Sequence, residues 1–319
     1  MRRARKRRAA ICAARTHCAK PGTSLTGGDF SGFREALIFV ATDWKGAGVS
    51  GSSHEDQERS VTMSGGENLS WRRDGAHWPN RDHSRFIRAA GIDWHVQRMG
   101  EGPELVLLHG TGASTHSWAG LAPRLADRFA VTAMDLPGHG FTSPAAYQKT
   151  SLEGYAWLIA ELLGALETRP AFIVGHSAGC AIAARMCLDD LARPRRIIGL
   201  NPALLPFSGI ARHAFPLMAK LLFVNPLAPR LLSWQARDGA RVRRLIAGTG
   251  SDIGRNGLAF YQRLFESPRH VDAALSMMAN WDLERLHRDL ARLACPLTMI
   301  VATRDRMVSP QAARAVRRI

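Results

Sequence analysis

Hydrophobic residues occur along this chain either in short unbroken runs or at helical spacing. The runs Glu104–Leu108, Phe129–Leu136 and Ala171–Val174 are typical of parallel strands that are buried on both faces. Leu152–Leu166 instead carries its apolar residues with a helical period. Because strands and helices alternate, the pattern predicts an α/β fold, a mostly parallel sheet with right-handed crossovers and flanking helices.

Further elements lie on both sides of these runs. Residues 84–99 predict two strands around an Ala-Gly turn, and Trp118–Arg128 predicts an amphipathic helix. Strands are also predicted at Arg196–Ala203 and after Cys295. A helix is predicted to begin at Pro310 and to continue to the end of the chain, since proline suits the first turn of a helix.

Residues 205–280 follow a different pattern, with several short helical periods and no strand, which predicts a helical cap inserted over the sheet. We therefore predict a core of residues 84–204 and 281–319, a cap of residues 205–280 and an N-terminal extension of residues 63–83. Residues 1–62 open with an arginine cluster, followed by Gly/Ser-rich sequence. The cluster suits contact with anionic lipid, but we favour a disordered leader, or sequence upstream of a true start at Met63.

Composition and charge narrow the class of protein. The 319 residues carry a net charge of +16, with 11 Lys/Arg against 6 Asp/Glu in residues 1–62 and 32 against 21 in the rest, so the excess is spread along the chain. Without a helix-turn-helix, an RNP motif or a basic ladder interleaved with aromatic residues, we expect no nucleic-acid partner. The charge fits the solvated surface of an arginine-rich protein.

The cysteine pattern and the hydropathy bear on the compartment. The five cysteines are odd in number and form no CxxC pair, which indicates a reduced, cytoplasmic protein without a metal site. No apolar run approaches the length of a transmembrane helix, so none is predicted.

The pentapeptide Gly175–Gly179 follows one predicted strand and precedes a segment with helical character. A Gly-x-Ser-x-Gly sequence between a strand and a helix is typical of a nucleophile elbow, which raises one hydroxyl above the sheet. The flanking glycines, Gly175 and Gly179, let two backbones approach closely. We therefore predict that Ser177 is a catalytic nucleophile.

Stabilising the oxyanion of such a reaction needs two backbone donors. The amide of Ala178 follows the nucleophile and opens a helix, where the dipole favours negative charge. The loop that begins with His109 and Gly110 is expected to supply the second donor, from Thr111 or alternatively Gly112. A phosphate-binding role for this loop is excluded, because its glycines fit neither a P-loop nor a dinucleotide fingerprint.

The sequence offers a candidate for the acid of the site but none for its base. Asp305 follows a late strand, where the orienting acid belongs in the chain order Ser, Asp, His. The base should follow one further strand, but the sequence ends at Ile319 and no histidine follows Asp305. We expect a fragment that lacks its last strand, catalytic histidine and helix, with a dead site as the alternative.

Taken together, these motifs resemble the α/β-hydrolase superfamily from about Arg85 onwards. Within this superfamily, the sequence motifs are more similar to those of the BchO group, which are magnesium-chelatase accessory proteins of bacteriochlorophyll synthesis. That closer likeness is carried by Trp94–Gln97, Leu108–Trp118, Gly140–Thr142, Val174–Gly179 and Gly199–Phe207.

The resemblance implies a Ser-His-Asp site for acyl or ester hydrolysis and a role beside magnesium insertion into protoporphyrin. It implies magnesium-chelatase subunits as partners and a protein that is cytoplasmic or peripheral to the photosynthetic membrane. It implies no cofactor. The alternatives are a non-catalytic tetrapyrrole-binding accessory protein and a generic carboxylesterase.

The cap composition suggests a bulky hydrophobic substrate, such as a tetrapyrrole. Its aromatic and methionine side chains would line the pocket, and its arginines would meet carboxylates. Alternatively, the apolar side chains form the core of the cap itself. The residues concerned are Phe207, Phe215, Met218, Phe223 and Trp234, with Arg212, Arg237 and Arg241.

Overall fold

A computed structural model describes residues 11–12, 67–206, 220–251, 253–305, 307–308 and 310–319. Most of the predicted leader, and the cap residues Phe207, Arg212, Phe215 and Met218, lie outside the described residues. The strands are β1 (Ile11–Cys12), β2 (Ser84–Ala89), β3 (Ile92–Met99), β4 (Glu104–Leu108), β5 (Ala130–Met134), β6 (Phe172–His176), β7 (Arg196–Leu200) and β8 (Leu297–Ile300).

These strands form one sheet in the order β1-β8-β7-β6-β4-β5-β3-β2. From β5 to β8 the pairs are parallel, whereas β1, β2 and β3 pair antiparallel at the two edges. The hairpin of β2 and β3 turns at Ala90 and Gly91, whose φ angles of 51° and 83° suit a tight two-residue turn. The α/β fold and the hairpin predicted from the sequence are confirmed.

Helices cover the sheet and continue into the region between β7 and β8. They are α1 (Trp71–Asp74), α2 (Ala122–Ala126), α3 (Leu152–Ala165), α4 (Ala178–Leu188), α5 (Ala228–Gln235), α6 (Gly239–Gly248), α7 (Arg255–Phe265), α8 (Pro268–Asn280), α9 (Leu283–Asp289) and α10 (Pro310–Val316). In the described ranges no helix is long and apolar enough to cross a bilayer.

Two helix boundaries differ from the prediction. The helix expected over Trp118–Arg128 is shorter: a 3-10 turn at Thr115–Trp118 precedes α2, which carries Pro123 in its first turn. Proline has no amide hydrogen and is therefore tolerated at the start of a helix but not in its interior. The last helix, α10, ends at Val316 and does not continue to Ile319.

The core lies on both faces of the sheet. Alternate residues of β4 point in opposite directions, so that Leu105 and Leu107 join one apolar cluster while Val106 and Leu108 join the other. The second cluster is completed by α3 and α4, which pack against each other. This burial fixes the carboxyl end of β6, from which the predicted nucleophile projects.

Residues 67–83 are tied to the helical region by a buried ion pair. Arg263 on α7 donates from Nε and Nη2 to the two carboxylate oxygens of Asp74, at 3.0 Å each, and both side chains are almost fully buried. Leu69 and Trp78 pack with Leu264 beside this pair. Residues 67–83 of the predicted N-terminal extension are therefore part of the packed structure.

Candidate active site

The turn between β6 and α4 has the geometry of a nucleophile elbow. Ser177 has φ 49° and ψ −113°, a conformation that side-chain-bearing residues rarely adopt. Backbone hydrogen bonds hold it there: Ser177 N–H donates to Leu200 O at 2.9 Å, and its carbonyl accepts from Cys180 N–H at 3.1 Å and Ala203 N–H at 3.2 Å. The turn is thus fixed by β7 on one side and by α4 on the other.

The two flanking glycines are required by close backbone contacts. A Cβ at Gly179 would lie 2.1 Å from the carbonyl oxygen of Leu108, and one at Gly175 would lie 2.4 Å from the amide nitrogen of Cys180. Gly110 faces the elbow, since a Cβ there would lie 3.2 Å from Cβ of Ser177. The structure therefore brings the loop after β4 directly against Ser177.

His109 fixes the start of that loop as a neutral side chain. Its Nε2 accepts from Leu136 N–H at 2.9 Å, so Nδ1 carries the proton and donates to Gly110 O at 2.8 Å. Burial lowers the pKa of His109 to about 3, assisted by the neighbouring His139. His109 therefore supports the loop and is not available as a base.

The same loop presents two amides that face no backbone acceptor. A turn hydrogen bond joins Ala113 N–H to Gly110 O at 3.1 Å. The amides of Thr111 and Gly112, inside this turn, donate to no described backbone carbonyl. The hydroxyl of Thr111 donates to Sδ of Met277 on α8 at 2.9 Å. Ala178 is the first residue of α4, where amides lack a partner within the helix.

His270 on α8 connects two loops of the site, and no local sequence pattern indicates this role. Its Nδ1 accepts from Gly140 N–H at 3.1 Å, and its Nε2–H donates to Gly112 O at 3.1 Å. Burial holds the pKa of His270 well below its ordinary value. Because the partner Gly112 is far away in sequence, only the folded chain shows this contact.

The buried side chain of Asp135 binds the far end of the loop after β4. Its carboxylate accepts from Thr115 N–H at 2.7 Å, from Phe141 N–H at 3.0 Å and from Nδ1–H of His95 at 2.8 Å. These donors outweigh burial and hold the pKa of Asp135 below its usual range. A Cβ at Gly140 would lie 2.2 Å from Oδ2 of Asp135, which explains the glycine there.

Asp305 lies in a turn just beyond the carboxyl end of β8. Its Oδ1 accepts from Met307 N–H at 2.7 Å and from Val308 N–H at 2.8 Å. Burial lowers the pKa of His176, which precedes the predicted nucleophile, and the charge of Asp305 opposes that shift. Asp305 also lines a groove together with Ala247 and Ser251 from the end of α6 and the loop that follows.

The base of the predicted triad has no counterpart in the described part of the chain. No described residue hydrogen-bonds to the hydroxyl of Ser177. The buried histidines His109, His139 and His270 are bound to backbone groups, and His116 is bound to Ser114. Within the described ranges, no group of three or more His, Cys, Asp or Glu side chains could hold a metal ion.

Of the described cap residues, Trp234 is not enclosed. Trp234 is 60% exposed, so it belongs neither to a pocket nor to the core of the cap. Phe223 stacks on Tyr147 with ring centroids 5.7 Å apart. Arg237 and Arg241 are exposed. The expectation that Trp234 is enclosed is wrong, because the sequence alone does not show which face of a short helix is buried.

The fold and the elbow together define an α/β hydrolase. The family model described as "Alpha/beta hydrolase family" matches residues 105–319, and the chain belongs to that family. The chain is 40% identical to the magnesium-chelatase 30 kDa subunit of Rhodobacter capsulatus over 235 residues, which are 73% of this chain and 82% of that protein. The resemblance inferred from the motifs is confirmed.

The chain is also similar to an esterase and to a solved hydrolase structure. The pimeloyl-[acyl-carrier protein] methyl ester esterase of Methylococcus capsulatus is 30% identical over 70% of this chain and 85% of its own length. A crystal structure of an α/β hydrolase fold protein from Burkholderia ambifaria matches with a TM-score of 0.59 and 23% identity, over 73% of this chain and 87% of that one. That structural match shows the fold alone.

Proposed function

We propose that this protein is a serine hydrolase that serves magnesium chelatase as an accessory factor in bacteriochlorophyll synthesis. The observation that carries the catalytic part is the strained conformation of Ser177, which backbone bonds hold beside Gly110 of the loop after β4. Strain of this kind persists where surrounding structure enforces it and is common at active sites.

The reaction we propose is hydrolysis of an ester, a thioester or a similar acyl compound. The hydroxyl of Ser177 loses its proton to a histidine oriented by Asp305, and its oxygen attacks the carbonyl carbon. The carbonyl oxygen becomes an oxyanion held by the amides of Ala178 and Thr111, with Gly112 as the alternative donor. The leaving group departs with a proton, and water then releases the acid from the acyl-enzyme. The histidine of this step is not assigned to a described residue.

The pathway rests on similarity to the magnesium-chelatase 30 kDa subunit. We propose chelatase subunits as partners and a tetrapyrrole or another hydrophobic acyl compound as substrate. We place the protein in the cytoplasm, in contact with the photosynthetic membrane.

Complementation of a deletion strain tests this function. Ser177→Ala should fail to restore bacteriochlorophyll, measured by the absorption spectrum of whole-cell extracts. The matched control is Ser70→Ala, because Ser70 is exposed and its side chain makes no capping hydrogen bond. Full restoration by Ser177→Ala would contradict the catalytic role, and an unchanged pigment spectrum in the deletion strain would contradict the pathway.

Two other functions remain as alternatives. For a non-catalytic tetrapyrrole-binding accessory protein, Ser177→Ala would restore pigment and protoporphyrin would quench tryptophan fluorescence. The likeness to the methyl ester esterase favours a generic carboxylesterase. Such an enzyme would hydrolyse short-chain esters, and its deletion would leave pigment unchanged.

A further inference from the structure

The helix α5 buries three of its small residues and exposes two of its three large apolar ones. Ala228, Pro229 and Ser233 are buried, and α5 packs against α8 through this region. Leu231 and Trp234 are 54% and 60% exposed. A surface helix of a water-soluble protein normally shows the opposite arrangement, with its apolar side chains facing the core.

Three of the exposed apolar residues lie on one face of α5 or at its start. Leu227, Leu231 and Trp234 follow each other at intervals of four and three residues, which places them on one helical face. Two more exposed apolar residues, Leu221 and Val224, precede them. We call these five side chains the cap stripe.

The sequence around the cap stripe is strongly basic. Residues 220–251 contain six Lys or Arg and a single acidic residue, Asp238. Among the basic residues, Arg230 and Arg243 are exposed. Exposed leucine and tryptophan side chains in a basic segment are typical of a helix that lies in the interface of an anionic bilayer.

We propose that the cap stripe docks the protein onto an anionic lipid surface. The leucines and Trp234 would insert at the boundary between headgroups and acyl chains, and the long arginine side chains would reach the phosphates. This inference concerns a binding surface and holds whether or not Ser177 is catalytic.

Vesicle flotation tests the proposal on the full chain. The probes are vesicles of phosphatidylcholine with phosphatidylglycerol and vesicles of phosphatidylcholine alone. The protein should float with the first and remain behind with the second. Each basic residue at the surface adds about five-fold to the partition coefficient, so Arg230→Gln with Arg243→Gln should lower it by more than ten-fold.

The apolar part of the surface is tested separately. Leu231→Ser with Trp234→Ser should abolish flotation while the circular dichroism spectrum stays unchanged, since both side chains face solvent. The matched control is Arg85→Gln with Phe86→Ser on β2, where an exposed arginine adjoins a phenylalanine that is 46% exposed. This control should float as the parent protein does.

Three results would overturn the proposal. The parent protein could fail to float with anionic vesicles, or the Leu231 and Trp234 variant could float normally. The third is a dimer in lipid-free solution that these substitutions convert to a monomer without any vesicle binding by either form. That result would assign the cap stripe to a second copy of the chain.

Discussion

The conformation of Ser177 predicts that glycine at this position stabilises the protein. Its φ of 49° and ψ of −113° strain a residue that has a Cβ, whereas glycine adopts this region freely. The strain lowers the free energy of unfolding by about 1–3 kcal/mol, and glycine removes it. Because glycine also gives the unfolded chain more conformational freedom, about 0.5–1 kcal/mol of this gain is lost. Ser177→Gly should therefore raise the free energy of unfolding by about 1 kcal/mol.

The reference for this comparison is Ser177→Ala. Alanine keeps the Cβ and with it the strain, and no described residue bonds to the lost hydroxyl, so its stability should stay within about 0.5 kcal/mol of the parent protein. The backbone bonds from Ser177 N–H to Leu200 O and from Cys180 N–H to Ser177 O are available to all three side chains. Only the Cβ distinguishes the glycine variant from the alanine variant.

Urea unfolding followed by circular dichroism measures the effect, with equal m-values as the sign that the unfolded states are comparable. Ser70 provides the matched position, because it is extended, with φ −131° and ψ 127°, and its side chain makes no capping bond. There the glycine variant should be no more stable than the alanine variant. If Ser177→Gly is as stable as Ser177→Ala or less so, the elbow is not strained and the reasoning fails.

Three further predictions concern the surrounding structure. Asp74→Ala leaves the buried guanidinium of Arg263 without its carboxylate and should lower the free energy of unfolding by about 3–5 kcal/mol in urea; a loss below 1 kcal/mol would contradict the buried pair. Asp135→Asn places an amide group against N–H donors and should lower the free energy of unfolding by about 2–5 kcal/mol in the same assay; an unchanged urea midpoint would contradict this. Unfolding at a series of pH values should show stability falling between pH 6.5 and 4, because the folded pKa values of His109 and His139 are about 3 and about 4, so the unfolded chain binds more protons. A flat profile in that window would contradict their neutral burial.

Local sequence patterns were sufficient for the elements that build the elbow. The hairpin turn at Ala90 and Gly91, the strand β6 and the glycines around Ser177 are all determined by neighbouring residues or by close backbone approach. Gly179 illustrates this, since the contact that excludes a side chain there is with Leu108 O, on the strand next to β6. The spacing of the motif encodes that contact without any knowledge of the rest of the fold.

Contacts between distant segments could not be predicted in the same way. His270 lies in the helical region and bonds to Gly112 across the site, and Arg263 pairs with Asp74, which lies 189 residues away in the sequence. Neither pairing has a local periodicity or a motif. Trp234 was expected inside the cap for a related reason, because a short helix with both small and large apolar residues does not reveal which side is buried.

The central claim, that Ser177 is an activated nucleophile, is tested most directly by labelling with a fluorophosphonate. The full gene product is incubated with the probe and analysed by intact-mass spectrometry, with Ser177→Ala as the control. We expect one covalent adduct, located on the peptide that contains Ser177 and absent from the alanine variant. A parent protein that gains no adduct would show that Ser177 is not an activated nucleophile and would favour a binding scaffold.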